Sequence, residues 1–95
     1  MSIQQPTADQ VVASFRDEIT ALDVRLLSTI NARIKAVKAL AEYKEERGLA
    51  FVDPEREAWL VAYLKRVNGG PISDEGLEEL LTFVLALVKQ EVVRG

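Results

Sequence analysis

The stretch ADQVVASFRDEITALDVRLLSTINARIKAVKALAEYKEER (residues 8–47) contains neither proline nor glycine. Within it, Val12, Phe15, Ile19, Leu22, Leu26, Ile30, Val37 and Leu40 recur at steps of three and four, and Arg33 fills the one skipped place. That periodicity predicts an amphipathic helix of about 40 residues, about 60 Å long. A folded monomer of this chain length is only roughly 30 Å across. The helix would therefore leave apolar side chains bare along its length. The expected remedy is a second copy, in a helical homodimer built along this helix.

Arg33 and Lys44 interrupt the apolar stripe. They are eleven residues apart, about three turns plus 20°, so both point the same way. A soluble chain rarely places two cations on a covered face unless anions meet them. This face of the helix is therefore expected to meet either an anionic ligand or buried carboxylates.

The rest of the chain follows from turn and cap signals. Residues 1–7 read as a flexible tail, with Thr7 or Asp9 capping the long helix. Gly48 ends that helix, after Lys44 and Arg47 in the last turn, where cations suit the dipole. A short loop, 49–52, leads to Asp53-Pro54-Glu55-Arg56-Glu57, which has an N-cap aspartate followed by proline at the first helical position. This second helix is expected to run to about Val67, where Asn68-Gly69-Gly70-Pro71 breaks the chain. Ser73 caps a third helix, expected to reach about Val93. Neither a strand signal nor an internal repeat is visible. The expectation is an all-α fold with one long helix and two shorter ones, in a single helical domain over residues 8–95.

Composition narrows the chemistry. The chain has 48% hydrophobic and 28% charged residues, ordinary for a folded domain. Its net charge of −3 argues against a nucleic-acid surface, which needs a dominant basic field. A local cationic pocket can still hold a small anion. The absence of cysteine and histidine removes thiol catalysis, disulfides, Cys/His zinc sites and serine–histidine hydrolysis. Neither a signal peptide nor a membrane-spanning run is visible, so a cytoplasmic location is expected.

The residues left to carry function are Arg16, Arg33, Lys44, Asp53, Arg56 and Glu57. Each has a plainer reading. Arg16 could be an exposed helix arginine, and Arg33 could pair with a carboxylate across a dimer interface. Lys44 could serve the helix C-terminus, Asp53 could act only as a cap, and Arg56 and Glu57 could be a solvated pair.

Taken together, the set resembles the all-helical, AroQ-type chorismate mutases. The matching residues are Phe15-Arg16-Asp17-Glu18-Ile19, Leu22-Asp23, Leu26-Leu27, Asn31-Ala32-Arg33, Lys44 and Asp53-Pro54-Glu55-Arg56-Glu57. The resemblance covers roughly residues 12–93. It implies an intertwined dimer and an enzyme that converts chorismate to prephenate, towards aromatic amino acids, with neither cofactor nor metal. By the same resemblance, Arg33 binds one substrate carboxylate and Arg16 reaches the other in the partner's site. Lys44 donates to the ether oxygen. Asp53 and Glu57 hold the ring hydroxyl, and Arg56 assists or orders the loop. Some small members of the family gain activity on docking to another enzyme of the pathway.

The third helix departs from the family pattern, which carries a small polar residue and then Gln or Glu four positions on. An ungapped count from Gly70-Pro71 puts Val88 and Val92 there. A shift of one residue puts Leu87 and Glu91 there, and Gln90 lies nearby. Glu91 is the favoured second ligand of the ether oxygen. It would help only when protonated, so activity would rise on acidification. The plainer reading makes Lys89, Gln90 and Glu91 a solvated helix end. The departure keeps related substrates open, through 4-amino-4-deoxychorismate mutation or pyruvate loss from isochorismate. A non-catalytic helical dimer, in which Arg33 and Lys44 pair with Asp53 and Glu57, is the alternative from another class.

Overall fold

The computed structural model describes residues 4–95. Three α-helices follow one another: α1 (Ala8–Glu46), α2 (Pro54–Val67) and α3 (Asp74–Arg94), with no strand among the described residues. The expected tail falls partly on residues 1–3, which lie outside the described residues. Residues 4–7 precede the first helical turn.

Each helix starts on a side-chain cap. Thr7 and Gln10 cap α1 reciprocally: the Gln10 backbone N–H donates to Thr7 Oγ1 (3.1 Å) and the Thr7 N–H donates to Gln10 Oε1 (2.8 Å). Asp53 caps α2 by accepting from the Arg56 N–H at 3.1 Å, with Pro54 behind it. Ser73 caps α3 by accepting from the Gly76 N–H at 3.0 Å. These bonds satisfy amides that would otherwise lack a partner at a helix start.

The end of α1 is a Schellman turn. The Leu49 N–H donates to the Lys44 carbonyl (2.8 Å) and the Gly48 N–H to that of Glu45 (3.2 Å). Gly48 takes a φ of 67°, which a residue with a Cβ adopts only under strain. The turn redirects the chain so that the N-cap of α2 follows α1 after only a short loop. The loop between α2 and α3 is tied by Asn68. Its Nδ2 donates to the Ile72 carbonyl (2.8 Å), and its Oδ1 accepts from the Gly70 N–H (2.9 Å).

Two ion pairs fix the direction of α2 against α3. Lys65 near the end of α2 meets Glu78 near the start of α3 at 3.2 Å. Glu57 in the first turn of α2 meets Lys89 near the end of α3. Early residues therefore face late ones, and the two helices run antiparallel.

Backbone packing divides the chain into a unit ending at Ala32 and a unit spanning Arg33–Gly95. The first is a helical stretch whose apolar stripe is bare: Phe15 is 61% exposed, Leu22 52% and Leu26 59%. In the second, the buried residues are Leu77 and Val88, both on α3. No helix among the described residues is long and apolar enough to cross a membrane.

Candidate functional site

Within the Arg33–Gly95 unit, three helical stripes converge on one cavity of about 230 Å³. From α1 come Arg33, Val37, Leu40 and Lys44, spaced i, i+4, i+7 and i+11. The start of α2 supplies Asp53, Arg56, Glu57 and Leu60, spaced i, i+3, i+4 and i+7. Leu85, Val88 and Lys89 come from α3, and Phe51 from the loop. Residues at such spacings share a helix face, so each helix offers one continuous strip to the same space. The apolar residues among them partly shelter the space from water, which strengthens charge interactions inside.

The charged lining consists of Arg33, Lys44, Arg56 and Lys89 against Asp53 and Glu57. Four cations face two carboxylates, a net charge of +2. How these groups pair decides between a ligand site and a set of internal salt bridges. The Glu57 carboxylate is taken by Lys89, in direct contact. Asp53 spends one carboxylate oxygen on the α2 cap. Arg56 stacks on the Trp59 ring, with its Cζ 4.2 Å from the ring centroid. Among the described residues, Arg33 and Lys44 enter no salt bridge. Both are partly covered and both line the cavity. The buried pairs of Arg33 and Lys44 with Asp53 and Glu57, expected if the site were only structural, do not form.

Arg33, Lys44, Asp53, Arg56 and Glu57 thus come together. Arg16 belongs to the unit ending at Ala32, is exposed, and is not part of this lining. Glu91 is not among the residues that line this cavity. Glu91 pairs instead with Arg94, three residues on along the same helix. Gln90 is exposed and also lies outside the lining. The residues of α3 that reach the cavity are Leu85, Val88 and Lys89. Val92, one turn on, faces a different hollow beside Ala41 and Leu49.

Sequence reasoning missed Lys89 and Phe51. Lys89 was legible in part: it follows Val88 and lies one helical turn from Leu85, so a lysine there shares a covered stripe. Phe51 carries no periodic signal, because it sits in the loop.

The chain is similar to known proteins in both sequence and fold. The family described as chorismate mutase type II matches residues 15–92. A bifunctional chorismate mutase/prephenate dehydratase from Stutzerimonas stutzeri is 31% identical over 83% of this chain. Its counterpart from Pseudomonas aeruginosa is 31% identical over 82%. The chain spans only 23% and 22% of the length of these two relatives. Among solved structures, chorismate mutase (form II) from Thermus thermophilus superposes with a TM-score of 0.83 at 26% identity. That match covers 87% of this chain and 94% of the other.

Proposed function

The chain belongs to the chorismate mutase type II family, and from that premise we propose that it rearranges chorismate to prephenate in the cavity beside Arg33 and Lys44. The observation that carries the reading is the pair of partly covered cations, Arg33 and Lys44, which line an apolar-walled cavity and enter no salt bridge among the described residues. A dicarboxylate substrate supplies the missing charge.

The reaction is an intramolecular [3,3] shift, in which the ether C–O bond breaks as a C–C bond forms. It requires neither an external base nor a nucleophile. The protein's task is to hold the substrate in its compact form and to stabilise negative charge growing on the ether oxygen. Arg33 binds a carboxylate, and Lys44 donates to the ether oxygen. The Glu57 carboxylate accepts from the ring hydroxyl, and Asp53 helps to hold that hydroxyl. Arg56, held on Trp59, orders the start of α2. These assignments rest on the family resemblance and on the shared cavity.

The bare stripe of Phe15, Ile19, Leu22 and Leu26 supports a homodimer, because an apolar helix face of this length is stable only when covered. In that dimer residues 8–95 act as one domain, and Arg16 reaches the partner's cavity to bind the second carboxylate. Another enzyme of the same pathway is the further partner in this reading, since the relatives join a mutase to a prephenate dehydratase. The cytoplasm is the proposed location.

The direct test is incubation of purified protein with chorismate, with loss of substrate and formation of prephenate followed together. Prephenate formation supports the reading. A folded protein that consumes no chorismate overturns it.

A further inference from the structure

Lys89 is the cation at the cavity to which the proposed function assigns no role. It projects from the end of α3, contacts the Glu57 carboxylate, and lines the same cavity as Arg33 and Lys44. Both members of the pair also border a second hollow, beside Pro54 and Thr82, so they form part of the wall between two spaces. Glu57 is the group to which the preceding subsection assigns the substrate's ring substituent. Whatever binds at Glu57 does so within reach of a lysine ammonium.

We propose that Lys89 determines which ring substituent the site accepts, favouring a neutral hydroxyl over an ammonium. The inference rests on the proposed mutase reading. A hydroxyl donates one hydrogen bond to Glu57 and carries no charge, so it shares the carboxylate with Lys89 without repulsion. An ammonium at the same place competes with Lys89 for the same oxygens, and two like charges then lie a few ångströms apart. The direction of the shift on removing Lys89 does not depend on the total charge of the site. Removing one positive charge at this point always shifts the balance towards the ligand that carries one more. Lys89 acts here by sharing Glu57 with the ring substituent and sets specificity without taking part in the bond changes.

The pair also ties α2 to α3, so the test must separate specificity from structure. The experiment compares kcat/KM for chorismate and for 4-amino-4-deoxychorismate in the wild-type protein, Lys89→Gln and Lys89→Arg. Circular dichroism and thermal melting confirm that each variant folds. The wild type is expected to favour chorismate. In Lys89→Gln the ratio of the two kcat/KM values falls about tenfold, whereas Lys89→Arg keeps the wild-type ratio. A larger change is not expected, because the two side chains are 35% and 30% exposed and solvent screens the repulsion. A purely structural rung would lower both rates together and leave the ratio alone. A ratio unchanged within twofold in Lys89→Gln overturns the inference while leaving the mutase reading intact. A wild type that prefers the amino substrate also overturns it. A wild type that converts neither substrate removes the mutase reading itself, and the inference falls with it.

Discussion

The two ends of α1 carry the same apolar spacing and meet different surroundings. Up to Ala32 the stripe of Phe15, Ile19, Leu22 and Leu26 is more than half exposed. From Arg33 onward the stripe faces a cavity walled by Phe51, Leu60, Leu85 and Val88. A period of 3.6 residues states which side chains share a face, and nothing about what covers it. What separates the two ends in the sequence is the charge placed on the stripe. The bare end is apolar throughout, as a face meeting another apolar face should be. The end at the cavity holds Arg33 and Lys44, as a face meeting an anion should.

The largest effect that would break this contrast lies at Lys44. In Lys44→Ala the helix is preserved, since alanine is the best helix former. The proposed donor for the ether oxygen is lost, and one such donor contributes about 2.7–4 kcal/mol to the barrier. The expected result is a fall of about a hundredfold to a thousandfold in kcat with the oligomeric state unchanged. A variant that keeps its activity would remove Lys44 from the chemistry.

The next effect belongs to the other end. Leu22→Asp places a charge on the bare stripe and forfeits a burial of about 1.5–3 kcal/mol if that stripe meets a partner. Mass measurement by light scattering should show the 10.6 kDa chain replacing the dimer, with a lower Tm. An unchanged mass and Tm would mean that the stripe is bare in solution as well. The two substitutions are complementary: the first loses turnover and keeps assembly, and the second loses assembly first.

A smaller effect tests the turn that follows the cavity end of α1. At Gly48 an added Cβ would meet nothing within 4 Å, so steric contact is not the obstacle. The obstacle is the φ of 67°, which costs an alanine about 1 kcal/mol. Gly48→Ala should lower Tm by about 4–8 °C, measured by thermal melting, with little change in activity. A larger loss of activity than of stability would show that the turn sets the distance between Lys44 and Asp53.

Most of the fold was legible because its signals are local. A proline-free stretch, Gly48, the Asp53-Pro54 start, the glycine break and Ser73 each act within a few residues, and all three helices lie where these signals place them. The site was legible on α1 and α2 for a related reason. Fixed spacings on two helix faces, joined by a short loop, leave little freedom in where Arg33, Lys44, Asp53, Arg56 and Glu57 meet. The third helix was harder. Its contribution depends on rotation about its own axis, and the run from Leu80 to Val93 is apolar on more than one side, so spacing alone did not choose between Val88 and Leu87. Packing chose Val88, which is 1% exposed, and carried Lys89 with it.

That rotation also decides the smallest expected effect, at Glu91. With Val88 turned inward, Glu91 is one helical step of three residues away and meets Arg94, on a pair that is 34% and 67% exposed. Pairs this exposed contribute about 0–1 kcal/mol, so Glu91→Gln should leave Tm almost unchanged. Activity should stay within twofold of wild type from pH 5 to pH 8. The substitution is informative because glutamine donates a hydrogen bond at any pH, whereas glutamate must first be protonated. If Glu91 did reach the ether oxygen, Glu91→Gln would raise activity near neutral pH and abolish any gain on acidification. A rise of that kind would require α3 to turn by about one residue, 100°, and would withdraw Lys89 from the cavity in the same movement. The responses of Glu91→Gln and Lys89→Gln are therefore linked: one rotation of α3 cannot satisfy both residues as contributors to the site.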